Sequence, residues 1–360
     1  MDTVTHLVAG ALTPLAFRNA PKTRMLTLFG IIAGEFPDID VVAGRSAEAV
    51  LSFHRGFTHA LVLQPVFALL LALVFHRALK KGDRDGTWTF AKTWSVALLA
   101  LVIHLFLDCM TTFGTQVLLP FSDFRVALPA MYIIDLAMTL PLLAVWIVIL
   151  RRGGSGAAAE RRVPLARRAL AWIFVYPLCC LALNFGLTAH LEKLYAAPGN
   201  AQGMTRMELS PEPFAPLNWK AVGISRDAYF MGRVFLPRMG REIPFTRYER
   251  VNPELWAELQ RDAPLFSLYA KFATYPFQTA ESRSGETLYT FRDVRYEATL
   301  PGLINAVGRS DGLFLMQARV KDGRPQACRF LHRGRESDST PWLPVVTTGG
   351  ASGTGASREG

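Results

Sequence analysis

Cysteine is scarce in this chain: four residues in 360, Cys109, Cys179, Cys180 and Cys328. None belongs to a Cys-x-x-Cys pair and three lie in apolar runs, which argues against a disulfide framework and against a thiolate zinc site. Charge is thin as well, with 19% charged residues against 51% hydrophobic ones. No basic residue precedes Arg18 and no clear cleavage site follows, so a removable signal peptide is not expected. There is no internal repeat. The formal charge of +10 does not point to nucleic acid, because the basic residues cluster between apolar runs, where membrane topology accounts for them.

What the chain does have is apolar sequence, concentrated before about Ala189. Runs at 3–17 and 25–36 are shorter than the roughly 20 residues of a full crossing and read as a short helical hairpin. Runs at 58–79, 93–110, 130–150 and 168–189 are near membrane length. The expected fold is an α-helical polytopic membrane bundle of about six membrane or re-entrant helices. If the chain starts outside, the inner loops hold Arg18, Lys22, Arg24, Arg77, Lys80, Lys81, Arg84, Lys92, Arg151, Arg152, Arg161, Arg162, Arg167 and Arg168. The outer loops then hold Arg45, Arg55 and Arg125. That bias fixes the orientation and leaves the C-terminal part outside.

Residues 151–164 read as a flexible basic loop on the inner side. The segment 193–217 is a Pro-rich linker between a membrane-embedded bundle at 1–192 and an extracytoplasmic domain at 218–343. In that domain, apolar and polar residues alternate around aromatics at 228–236 and 287–292, the period of strands, while 252–272 reads as a helix pair. It is therefore an α+β, strand-rich soluble domain. The tail at 344–360 is Gly/Ser/Thr-rich and reads as disordered.

The densest functional cluster is Phe53-His54-Arg55-Gly56-Phe57-Thr58-His59, just before a long apolar run. Upstream is Glu35-Phe36-Pro37-Asp38-Ile39-Asp40; downstream, inside an apolar run, are His104 and Asp108. In the six-helix topology His6, Asp38, Asp40, His54, His59, His104, Asp108 and Asp135 come from separate segments yet fall at one membrane face. His104 and Asp108 are four apart and share a helix face. Ionisable groups inside a membrane helix are costly and point to function. Imidazole and carboxylate suit zinc, manganese or iron. Eight candidates exceed one catalytic ion's three protein ligands, so two ions about 3.5–4 Å apart are favoured over one. A bound ion would activate water; Arg55 is placed to neutralise charge on a phosphate oxygen, and Glu35 to handle the proton. Thr58, Thr111 and Thr112 are weaker substrate contacts. His76 and His190 read as interfacial, His332 as solvent-exposed.

These motifs resemble the YdjM-like family of predicted inner-membrane, metal-dependent hydrolases. The matching pieces are Thr5-His6, Phe36-Pro37-Asp38-Ile39-Asp40, His54-Arg55-Gly56-Phe57-Thr58-His59, His104-Leu105-Phe106-Leu107-Asp108 and Thr111-Thr112-Phe113-Gly114-Thr115-Gln116. Pro120-Phe121-Ser122 and Asp135 look like a later motif of the family. Cys109-Met110 departs from it. The ligand pattern is similar, more weakly, to zinc phospholipase C. The resemblance implies a bacterial inner-membrane, metal-dependent hydrolase, and the charge bias of the loops puts its site on the periplasmic side. The expected reaction is cleavage of an ester or phosphodiester in a membrane lipid or lipid-linked substrate. The competing expectation is a non-enzymatic metal-binding scaffold or transporter. Against a pore, the inner halves of the later helices, such as Val96-Ala97-Leu98-Leu99, are almost wholly apolar.

Overall fold

Glycine sets the first contact of the fold. Helix α1 (Thr3–Leu12) and helix α2 (Arg24–Glu35) cross where Gly10 faces Gly30 and Gly34. A Cβ on Gly10 would stand 2.3 Å from the Gly30 carbonyl oxygen, so only hydrogen fits between these backbones. Asp2 caps α1 by accepting from the Thr5 amide. The chain then forms α3 (Gln64–Lys80), α4 (Phe90–Cys109), α5 (Leu136–Arg151) and α6 (Ala157–Tyr195). This computed structural model describes residues 1–21, 24–43, 51, 54–83, 85–151, 157–283, 285–300, 313–331 and 341–345. Lys22, Arg45, Phe53, Arg84, residues 152–156 of the segment expected as a loop, the side chain of Arg161, His332 and the tail beyond 345 lie outside the described residues, while 157–164, also expected as loop, open helix α6.

Two compact units are present. Among the described residues, the first takes those within 1–45, 53–226 and 230–246; the second holds Leu51 and 227–229 and continues from 247. In the first, one apolar cluster joins Val8 and Leu12 of α1, Ile103 and Leu107 of α4, Met138 and Leu142 of α5, and Ile173 of α6. Another joins Phe29 of α2, Leu71 and Leu79 of α3, and Leu101 of α4. Helix α4 belongs to both and is the bundle's centre: half of its apolar window is buried, against 22% for Leu61–Lys80. Val66, Leu69, Leu70, Leu73 and Val74 of α3 are exposed, an apolar face of the kind that meets lipid rather than water.

Among the described residues, three helical stretches are long and apolar enough to cross a membrane: Leu61–Lys80, Phe90–Cys109 and Arg162–Tyr195. Thr3–Ala16 and Leu136–Arg151 are apolar but shorter. The fifth run yields a shorter helix than expected because residues before Leu136 turn back on α4, with the Leu128 amide donating to the Cys109 carbonyl at 2.7 Å. The third starts later, after 3-10 turns at Phe57–His59 and Leu61–Leu63, with Pro65 in the first turn of α3. Helix α6 continues through Pro164 and Pro177 and past Ala189 to Tyr195.

After α6 the chain turns to strand. β1 (Arg206–Pro211) pairs antiparallel with β2 (Asn218–Ile224), from Arg206↔Ile224 to Pro211↔Trp219. β3 (Ala228–Phe235) and β4 (Thr246–Glu249) complete a sheet of order β1-β2-β3-β4. Asn184 of α6 ties β1 down, donating to the carbonyls of Pro129 and Leu209 at 3.0 Å each. In the second unit α7 (Pro253–Asp262) is capped by Asn252 and leads directly to α8 (Pro264–Phe272). β5 (Pro276–Arg283), β6 (Glu286–Asp293), β7 (Leu315–Lys321), β8 (Arg324–Leu331) and β9 (Leu343–Pro344) form an antiparallel sheet in chain order. Its core is aromatic: Phe266 packs edge-on against Trp256 and Phe291.

Candidate metal centre

The site forms where α4 ends. His104 and Asp108, one turn apart, present to the same side. Pro37 opens a 3-10 turn, Phe36–Ile39, directly after α2 and brings Asp38 to them. The turn Phe57–His59 brings His59. One ligand atom from each of Asp38, His59, His104 and Asp108 lies within 4.8 Å of all the others.

The distances are informative. His59 Nε2 is 3.2 Å from His104 Nε2, 3.3 Å from Asp38 Oδ1 and 3.3 Å from Asp108 Oδ2. His104 Nε2 is 3.5 Å from the same two carboxylate oxygens. Around one tetrahedral ion with bonds of roughly 2.0–2.1 Å, neighbouring ligand atoms stand roughly 3.3–3.4 Å apart. Five of the six edges of such a tetrahedron are thus present. Asp38 Oδ1 and Asp108 Oδ2 are both buried and make no hydrogen bond, the condition of lone pairs kept for a cation.

The surrounding contacts fix which atoms face inward. His104 Nδ1 lies 2.6 Å from the Gly34 carbonyl, which can only accept. The proton therefore sits on Nδ1, and Nε2 is the ligating nitrogen. Asp108 divides its oxygens: Oδ2 faces the imidazoles, while Oδ1 takes Arg55 Nη2 at 3.0 Å, His6 Nε2 at 3.1 Å and the Met1 amino group. Two carboxylates and two imidazoles sharing so small a dry volume require positive charge among them, from ring protons or a metal ion.

The other expected site residues take different places. His6 stacks on His104, with ring centroids 3.8 Å apart, and touches Asp108 without joining the four. Asp40 organises the turn that carries His59: its Oδ2 accepts from the Arg55 amide at 2.8 Å and the Thr58 hydroxyl at 3.2 Å, and its Oδ1 meets His54 Nδ1 at 3.3 Å. Arg55 holds this turn in a left-handed backbone conformation, φ 56°. Its buried guanidinium braces Asp108 and donates to Thr111 Oγ1 at 3.0 Å rather than lying open to a substrate. Glu35 has a buried oxygen without a hydrogen-bond partner. Asp135 stands apart. It caps α5, accepting from the Met138 amide, and takes the Tyr176 hydroxyl at 3.0 Å on each oxygen.

Among the described residues the four-donor group is one site, and Asp40 lies behind it, its Oδ2 3.5 Å from His59 Nδ1 and its Oδ1 on His54. The residue that spacing did not reveal is Gly34, whose carbonyl orients His104 from another helix. Its only signal is its place beside Glu35 in a small-residue stretch.

Comparison with known proteins gives a consistent setting. The family model described as YdjM inner membrane protein matches residues 1–190, more than half of the chain and all four donors. The chain is 30% identical over 136 residues to the uncharacterized protein YfhP of Bacillus subtilis (strain 168), covering 36% of this chain and 40% of that protein. It is 31% identical over 130 residues to the inner membrane protein YbcI of Escherichia coli (strain K12), covering 35% of this chain and 71% of that protein. No solved structure matches.

Proposed function

We propose a function from the premise that this chain belongs to the YdjM inner membrane protein family: it is a membrane-bound, metal-dependent hydrolase. The reaction is cleavage of an ester or phosphodiester in a lipid or lipid-linked substrate. The observation that carries the reading is the group Asp38, His59, His104 and Asp108, the last three buried, with ligand atoms at tetrahedral spacing. Zinc suits it best, with manganese or iron as alternatives. A divalent ion held there supplies Lewis-acid activation of water and of the ester oxygen.

The chain's own residues divide the remaining work. Gly34 and Arg55 keep His104 and Asp108 aimed inward. Glu35, whose buried oxygen has no hydrogen-bond partner, accepts the proton lost by the attacking water. Asp38 is the most exposed donor, its side chain 20% accessible, and marks the side from which substrate enters. In the topology we favour, the apolar segments make about six membrane or re-entrant passes, with basic loops inside and both the site and the strand-rich region on the periplasmic face. A lipid then reaches the site by lateral diffusion.

One observation favours a second reading. Four protein ligands at tetrahedral spacing are the hallmark of structural zinc, whereas catalytic zinc keeps a position open. A metal-binding scaffold or transporter would use the same residues. The two readings separate in nanodiscs containing defined phospholipids and lipid-linked phosphodiesters, with product release followed by mass spectrometry. Metal-dependent product that disappears in Glu35→Gln while the metal stays bound supports the hydrolase. A fully loaded protein that turns over no lipid supports the scaffold.

A further inference from the structure

The last turns of α6 carry a second feature, separate from the metal centre. There the segment after β3 folds back on the helix: the Ile243 amide donates to the Tyr195 hydroxyl at 3.2 Å, and Phe245 stands edge-on to the Tyr195 ring at 5.2 Å. Gly232 permits the approach, since a Cβ there would meet Ile243 at 2.5 Å. Between helix and segment lies a groove of about 570 Å³. That is within the range of roughly 300–1,000 Å³ typical of small-molecule sites.

Its lining is amphipathic. Leu194, Met239 and Ile243 make apolar wall; Arg233, Arg238 and Arg241 bring three guanidinium groups against one carboxylate, Glu242. Arg233 is fixed, its Nε donating to Asn218 Oδ1 at 2.7 Å and its guanidinium lying over the Phe235 ring. Among the described residues no ion pair neutralises Arg238 or Arg241, and both side chains are exposed. Surface arginines so close together repel one another, and a phosphate suits their planar donors.

Position narrows the ligand further. The groove's helical wall, His190 to Tyr195, is the end of the candidate span Arg162–Tyr195. Asn184, bonded to Pro129, marks on α6 the level of the chain that returns to the end of α4. The groove begins six residues further on, roughly 9 Å along the helix axis. It therefore lies at the same end of the bundle as the metal centre, just beyond the apolar stretch. A site at that level with cationic donors and an apolar wall matches a molecule whose phosphate sits at the interface and whose chains sit below.

We propose that this groove binds the phosphate head group of an anionic membrane lipid, with Arg238 and Arg241 taking the phosphate oxygens and Leu194 and Met239 the first carbons of the chains. The proposal rests on the reading of α6 as membrane-spanning and is independent of hydrolysis. Detergent-purified full-length protein is titrated with dioctanoyl phosphatidylglycerol and, as chain-matched control, dioctanoyl phosphatidylcholine, and bound lipid is counted by native mass spectrometry. The anionic lipid binds at least about tenfold tighter, and R238Q/R241Q weakens it by about thirtyfold, two cationic contacts' worth. Metal content stays unchanged in that variant, which reports an intact fold, and R206Q elsewhere in the same unit binds as wild type. Equal binding of the two lipids, or R238Q/R241Q binding as wild type, overturns the proposal. Displacement of the lipid by an equal concentration of inorganic phosphate overturns it in favour of a free-phosphate site. Failure of the span reading is seen separately: K193C then reacts with an impermeant maleimide from both faces of the membrane rather than one.

Discussion

Replacing Gly34 by alanine perturbs the metal centre without touching a ligand. A Cβ at this position would stand 2.7 Å from the His6 carbonyl oxygen, 2.8 Å from Gly10 Cα and 3.2 Å from Gly10 N. All three are backbone atoms, so no side chain can swing aside. Ordinary contacts between such atoms are about 3.5 Å, and α1 and α2 must part by roughly 0.7 Å. Overpacking of this kind costs about 1–3 kcal/mol. The same shift drags the Gly34 carbonyl from His104 Nδ1, now at 2.6 Å, and turns the α2 end that presents Asp38. Loss of such an orienting partner lowers metal affinity by about 10–100-fold. The assay is competition for zinc with a chromophoric chelator in detergent, beside thermal unfolding of the chelated protein. Gly186→Ala is the control, because nothing lies within 4 Å of a Cβ there. The expected result is weaker zinc binding and an unfolding temperature lower by several degrees for Gly34→Ala alone. Zinc affinity within twofold of wild type, with unchanged unfolding, refutes the reasoning.

Arg55→Met leaves Asp108 buried beside fewer positive partners and destabilises the chelated protein by about 3–5 kcal/mol; zinc recovers part of this, so the loss measured by thermal unfolding is larger without metal than with it. Asp135→Asn removes a helix cap, not a ligand; metal content by elemental analysis stays at the wild-type value while stability falls by about 1 kcal/mol. In the second unit, burial pushes the Cys328 thiol up to about 11, so at pH 8 roughly one molecule in a thousand carries the thiolate. Maleimide labelling read by peptide mapping therefore finds Cys328 unmodified until the protein is unfolded.

The parts of the site legible in the sequence were those that local periodicity controls. His104 and Asp108 lie four apart in an apolar run, and a helix puts them on one side whatever the tertiary fold. That Asp38 and His59 meet them followed from residue type and topology, both coarse guides. What spacing could not supply were contacts set by backbone groups of other elements. Asp40 has the same chemistry as Asp38, yet it bonds the Arg55 amide, in a turn where Arg55 adopts positive φ. Asp135 was a candidate ligand because it lies near the outer start of the apolar run 130–150, at the expected face. Its partners, the Met138 amide and the hydroxyl of Tyr176 on α6, are a cap and a long-range contact.

The same division holds for the fold. The helix pair near 252–272 and the strands at 228–236 and 287–292 carried their own caps and alternation, and the structure has α7, α8, β3 and β6 there. Helix ends were less legible. The apolar run 168–189 suggested an end near Ala189, but α6 continues to Tyr195, where Glu192 accepts from the Met207 amide and Tyr195 from Ile243. Those extra turns were fixed by strands that come later in the chain.

The most direct measurement of the central claim is metal content per chain, by elemental analysis of the detergent-purified protein, for wild type and for the double variant His59→Ala/His104→Ala. The account predicts about one equivalent of zinc, or of manganese or iron, in wild type and its loss in a double variant that remains folded. Wild type purified with supplementary metal and found empty, or a double variant that keeps its full equivalent, would contradict the assignment of these four residues as a metal centre.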